Sequence, residues 1–186
     1  MKFAAILPAL ALILALLAGC RSVGNPAATA TSGAPSQAVV KAQTITPADG
    51  WIEDDFYYNL YYYKDTENSI KLYDQNTSDY KEKFKTVEEF AAYQIKAVTS
   101  DEKDPQTSPI LRTTVGGMDA AEYTYMTENA KFRMVDILQY PIAYHIQCCA
   151  AKADFDKLNS DFQSMIDSYK LTDEEPHYIK IRRNDQ

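Results

Sequence analysis

The chain has 186 residues, 46% of them hydrophobic, and its 19 lysines and arginines face 26 aspartates and glutamates for a formal net charge of −7. That is enough apolar material for one cored domain, and too acidic a balance for a nucleic-acid footprint or for electrostatic adhesion to anionic lipid. Three cysteines and two histidines confine thiol and metal chemistry to a few positions.

Met1–Gly19 reads as a leader. Lys2 is its only charge, Ala4 to Leu17 is an apolar core, and Leu17-Ala18-Gly19-Cys20 supplies small residues that let an extended backbone enter a peptidase. A transmembrane helix is the competing reading, but the apolar run is at the lower limit for a bilayer and Pro8 interrupts it. An ordinary secretory signal has no need of cysteine at that place. The Leu-Ala-Gly-Cys ending resembles the lipobox of bacterial lipoproteins. That resemblance implies cleavage between Gly19 and Cys20 and acylation of the Cys20 thiol. Two or three acyl chains anchor stably, since each buried methylene contributes about 0.8 kcal/mol. The expected location is the extracytoplasmic face of a bacterial cell membrane, with the membrane itself as one partner.

Residues 20–50 form the lipidated cysteine and a linker rich in Ala, Ser, Thr, Gly and Pro, charged only at Arg21, Lys41 and Asp49. Such a stretch lacks the apolar bulk to order itself and, as a flexible coil, spans about 30 Å. Removing the leader makes the mature chain one charge more acidic. Residues 51–186 then suit a single domain with a short charged tail.

Asp55–Tyr63, "DFYYNLYYY", is dense in strand-favouring aromatics. Read as one strand, it puts Phe56, Tyr58, Leu60 and Tyr62 on one face and Tyr57, Tyr61 and Tyr63 on the other. The second set is a candidate ligand-stacking face, although period-two burial explains every position without a ligand. Lys64–Asn68 reads as a turn and Ser69–Tyr73 as a strand. Thr86–Val98 is a helix opened by a capping box, Thr86 with Glu89, and striped by Val87, Phe90, Ala91, Ile95 and Val98. The polar run after it carries Asp101, Glu102 and Asp104, whose spacing is not that of an EF-hand.

Ile110–Val115 and Met118–Met126 are strands joined by Gly116-Gly117, a strong two-residue hairpin signal. Lys131–Gln139 and Ile142–Ala150 follow, bent at Tyr140-Pro141. In the latter, Ile142, Tyr144, Ile146 and Cys148 share one face, and Ala143, His145, Gln147 and Cys149 the other. Asp154–Tyr169 closes the domain as an amphipathic helix through Phe155, Leu158, Phe162, Met165, Ile166 and Tyr169. Lys180, Arg182 and Arg183 end the chain in a basic tail.

The pieces "TVEEFAAYQIK", "TTVGGMDAAEYTY" and "DFDKLNSDFQSMIDSYKL", in that order, resemble the PsbP/Mog1-like domain of exported bacterial lipoproteins. The resemblance implies an α+β fold, an antiparallel β-sheet packed with helices as an α-β-α sandwich. It also implies binding or assembly roles, not turnover, and leaves the partner open because the fold hosts unrelated ones.

Site chemistry is thin. No His-Glu-x-x-His, Cys-x-x-Cys, phosphate loop or Gly-x-Ser-x-Gly occurs. A zinc site needs more than one histidine and two adjacent cysteines, and His145, in mid-strand, reads as a structural or surface residue and not as a ligand. Cys148-Cys149 is a candidate redox pair, but adjacent strand residues point to opposite faces and bond only with distortion. Asp119, Glu122, Asp136 and Asp154 are not paired by spacing. The expectation is a lipid-anchored binding or accessory module at the cell envelope, with no catalytic residue, no cofactor, no metal and an unidentified protein partner. The alternatives are a small-molecule binder using the tyrosine face and a thiol-redox protein.

Overall fold

Two sheets and two helices account for the fold of the computed structural model, which describes residues 39–56, 59–80, 84–100 and 104–176, within the compact unit 37–186. The leader, Cys20, Tyr57, Tyr58, His177 and the basic tail lie outside the described residues.

The larger sheet is antiparallel. Its order is β2 (Ile52–Phe56), β3 (Asn59–Tyr63), β4 (Ser69–Asn76), β9 (Ile142–Ala151), β8 (Ala130–Gln139) and β7 (Met118–Met126), with β5 (Gln106–Thr107) and β6 (Leu111–Val115) both pairing β7. β1 (Ala42–Thr44) pairs with β10 (Lys170–Thr172) as a separate ribbon. One helix packs on each face, α1 (Val87–Val98) and α2 (Asn159–Asp167). The architecture is therefore α+β with the expected layering.

Local chemistry explains the boundaries. Thr86 Oγ1 accepts from the Glu89 amide at 3.2 Å, and Glu89 Oε2 reaches back to the Lys85 amide at 2.7 Å. The capping box thus closes one residue earlier than its usual form. Gly116 and Gly117 take φ of +58° and +79°, the left-handed region a two-residue hairpin needs. At Gly116 a Cβ would also sit 3.0 Å from the Tyr169 carbonyl oxygen, so that glycine lets the hairpin press on the chain after α2.

Burial is divided between the faces. On the α2 side, Ile70, Leu72, Val135, Ile137, Ile146 and Cys148 meet Phe162, Met165, Ile166 and Tyr169, all at most 1% exposed. Burying each of the large apolar side chains stabilises by about 1.5–3 kcal/mol. On the α1 side, Val87 and Ala91 pack on Ala121, Tyr123, Tyr125 and Met134, while Phe90 packs on Phe84 and Ala143.

The structure corrects the sequence reading in four places. "DFYYNLYYY" is not one strand: β2 and β3 form a hairpin in which Phe56 pairs with Asn59, so the proposed faces hold only from Leu60 onward. The spacer read over residues 20–50 ends before Ala42, because Ala42–Thr44 finds a strand partner in β10 and Ile45 is 7% exposed in the core. The last helix begins at Asn159; Asp154–Leu158 forms turns instead, in which Asp154 and Phe155 both donate to the Ala151 carbonyl. The polar loop after α1 contributes the short strand β5.

Candidate functional site

The α1 face of the sheet is built in rows across the strands. One row runs Tyr63, Ser69, Cys149, Phe132, Tyr125; the next Tyr61, Lys71, Gln147, Met134, Tyr123; the third Tyr73, His145, Asp136, Ala121. Helix α1 covers the β7–β8 half of these rows. Toward β3, Tyr61, Tyr63, Lys71, Tyr73, Gln147 and Cys149 stay half-buried. The other face, packed under α2, has no comparable opening along β4 and β9, where Ile70, Leu72, Ile146 and Cys148 are at most 1% exposed.

The open half is an aromatic shelf. The Lys71 ammonium lies over two rings, 5.6 Å from the Tyr61 centroid and 4.8 Å from that of Tyr73, a cation–π arrangement. Tyr63 donates to the Asp54 carboxylate on the edge strand, and this bond raises its pKa. Ile52, opposite Tyr63, is 61% exposed.

Beneath the shelf lies a polar pair. Asp136 and His145 face each other across β8 and β9, both side chains 0% exposed, with Nδ1 2.8 Å from Oδ1. His145 donates to the carboxylate, since a carboxylate only accepts. Asp136 Oδ2 and His145 Nε2 find no hydrogen-bond partner. Tyr73 stacks on the imidazole at 4.4 Å and 13°, and Phe90 tilts over it at 5.7 Å. Burial first, then the charge of Asp136, raises the Tyr73 and Tyr123 phenols far above their ordinary value, so both remain neutral hydroxyls. A sealed pair of this kind lacks substrate access; its evident work is to hold the two central strands and the ring that floors the shelf.

The remaining candidates are dispersed. Cys148 and Cys149 are free thiols on opposite faces, Cys148 in the α2-side core and Cys149 on the shelf. Burial raises both, Cys148 the more, which makes thiolate scarce near neutral pH. Glu122 is held by Arg133, with Nε–Oε1 2.9 Å and Nη2–Oε2 3.0 Å, and Arg133 also donates to Asn159 and Gln163 of α2. Asp119 pairs with Arg112, and Asp154 with Lys157. None of these carboxylates pairs with another. Among the described residues no group of three His, Cys, Asp or Glu side chains is placed to hold a metal, and no helix is long and apolar enough to cross a membrane.

A cleft of about 510 Å³ opens elsewhere, beside Lys41, Gly116, Met118, Pro141, Tyr144 and Leu171. Polar groups of Lys41 and Tyr144 are already engaged there: the Lys41 amide donates to the Tyr144 hydroxyl at 3.0 Å, and Lys41 Nζ pairs with Asp173 at 2.7 Å. The shelf, where a lysine with no carboxylate partner among the described residues lies between half-buried rings, is the better site.

No family model and no curated protein matches the chain. Among solved structures it is similar to the cyanobacterial PsbP (CyanoP) of Synechocystis sp. PCC 6803, with 12% identity, TM-score 0.49, and coverage of 76% of this chain and 99% of that one. It is also similar to LpqN of Mycobacterium tuberculosis, described as involved in cell envelope biogenesis, with 13% identity, TM-score 0.49, and coverage of 76% and 87%. A third is PA94 of Pseudomonas aeruginosa, a protein of unknown function described as a putative regulator, with 9% identity, TM-score 0.48, and coverage of 73% and 86%.

Proposed function

We propose that this chain is a binding or accessory module of the bacterial cell envelope, tethered through lipid on Cys20 and without catalysis of its own. The observation that carries the reading is the inequality of the two sheet faces. One is closed by α2; the other is closed by α1 over half its width and presents half-buried aromatic rings with Lys71 and Gln147 among them over the rest. Half-exposed tyrosines are well suited to recognition, because each offers a large rigid surface and a hydroxyl at little conformational cost. The Asp136–His145 pair fits a support role, since both side chains are 0% exposed.

Cys149 is a built-in reporter of this surface. In envelopes carrying the full chain, an occupied shelf slows maleimide labelling of Cys149 relative to the purified chain in detergent. Equal rates in the two settings contradict a binding role for the shelf. Cys20→Ala tests the tether independently: the variant is expected in the soluble fraction, and its retention in envelopes contradicts lipid anchoring.

A further inference from the structure

Resting on the reading of the shelf as a binding surface, the ligand class can be narrowed by asking which donors there lack an acceptor. Lys71 is central. Tyr61 lies opposite it on β3, Gln147 opposite it on β9, and Ser69 and Tyr73 are its same-face neighbours along β4. Its ammonium has no carboxylate within 4.0 Å among the described residues, whereas Lys41, Lys64, Lys131 and Lys157 each do. The Gln147 amide and the Ser69 hydroxyl likewise have no hydrogen-bond partner among the described side chains. Three donors, one of them cationic, thus sit together between ring faces in a protein whose net charge is −7.

We propose that the shelf binds a saccharide bearing a carboxylate. The sheet offers flat rows, with strands about 4.8 Å apart and same-face residues about 7 Å apart along a strand. A pyranose ring has an apolar C–H face that lies flat on a phenol ring, here that of Tyr63 beside Ser69, and hydroxyl oxygens around its edge that accept from an amide and a hydroxyl. A carboxylate on that ring meets Lys71, the one cation of the patch, while the patch's own carboxylate, Asp54, is held at the edge strand by the Tyr63 hydroxyl. The alternatives fit less well. A second copy, shelf to shelf, sets Lys71 against Lys71. A polynucleotide is repelled by the overall charge. A protein partner anchors best by side chains inserted in pockets, which flat rows do not provide.

N-acetylmuramic acid and N-acetylglucosamine share one ring and differ by a carboxylated arm, which makes them a matched pair of probes. With the full chain in detergent, saturation-transfer NMR and calorimetry are expected to show saturable binding of the muramic acid at least about tenfold tighter than of the neutral sugar. Lys71→Met keeps the aliphatic stem and removes the charge. It should erase that preference, so that both sugars bind the variant alike; Lys71→Arg should restore it. Circular dichroism verifies the fold of each variant. Equal binding of both sugars, or a preference that survives Lys71→Met, overturns the assignment. So does saturable binding of a tri-glutamate peptide with no response to either sugar. Cys149 protection in envelopes accompanied by no sugar binding rejects the saccharide while leaving the binding surface standing, so the two failures are distinguishable.

Discussion

Removing one member of the Asp136–His145 pair is the most informative perturbation of the fold. Both side chains are 0% exposed, and the 2.8 Å bond joins them across the two central strands. His145→Phe keeps a flat ring against Tyr73 and Phe90 but leaves the buried carboxylate without its histidine partner. Breaking a buried pair in this way costs about 3–5 kcal/mol. Domains of this size hold only about 5–15 kcal/mol in total, so the variant forfeits a large share of its stability. His145→Phe with Asp136→Leu removes both polar groups, and replacement of a whole buried pair is neutral or stabilising by about 1–4 kcal/mol. The double variant should therefore recover most of the loss. Urea denaturation followed through Trp51, the sole tryptophan, measures this, since the indole is 7% exposed and lies edge-on to Phe162 at 5.8 Å. A single variant losing less than about 1 kcal/mol, or a double variant as unstable as the summed singles, refutes the reasoning.

Other outcomes follow from the same contacts. Arg133→Ala removes the clamp on Glu122 and the tie to α2, and should cost about 2–3 kcal/mol in urea denaturation, the scale of a lost charged hydrogen bond. Cys148 should resist iodoacetamide until the protein unfolds, while Cys149 reacts slowly at neutral pH and faster as pH rises, since burial raises its thiol; peptide mass spectrometry separates the two. Asp161 accepts from the Trp51 indole at 2.9 Å and from Lys64 at 3.0 Å, which lowers its pKa. Its contribution is thus present above the ordinary carboxylate range and lost as pH falls through the lowered folded value. Trp51→Phe should move the Asp161 titration upward by carboxylate NMR.

Much of this fold was legible because local chemistry and tertiary packing agree. Thr86 and Glu89 marked the start of α1, and Gly116-Gly117 marked the β6–β7 turn because only that backbone reaches positive φ cheaply. The tyrosine run misled, since aromatic density signals a strand but not where it folds back, and Phe56 to Asn59 carries no Gly or Pro. β1 was hidden in a composition that reads as spacer; its partner lies far along the chain at Lys170–Thr172. The Asp136–His145 pair did leave a signal. A tight turn at Tyr140-Pro141 pairs Gln139 with Ile142, and counting back along both strands brings Asp136 opposite His145. Reading His145 on its own strand alone missed it. The shelf was half visible: Tyr61 and Tyr63 were named, but Lys71, Tyr73 and Gln147 join them only through register.

The central claim is that the open half of the α1 face is where this protein meets its partner in the envelope. Site-specific photocrosslinking in living cells tests it directly, with p-benzoylphenylalanine placed at Tyr61 or Tyr63 on the shelf and, as control, at Lys157, whose side chain is 72% exposed away from it. The account predicts a defined adduct from the shelf positions and none from Lys157. Adducts from Lys157 with none from Tyr61 or Tyr63 would contradict it.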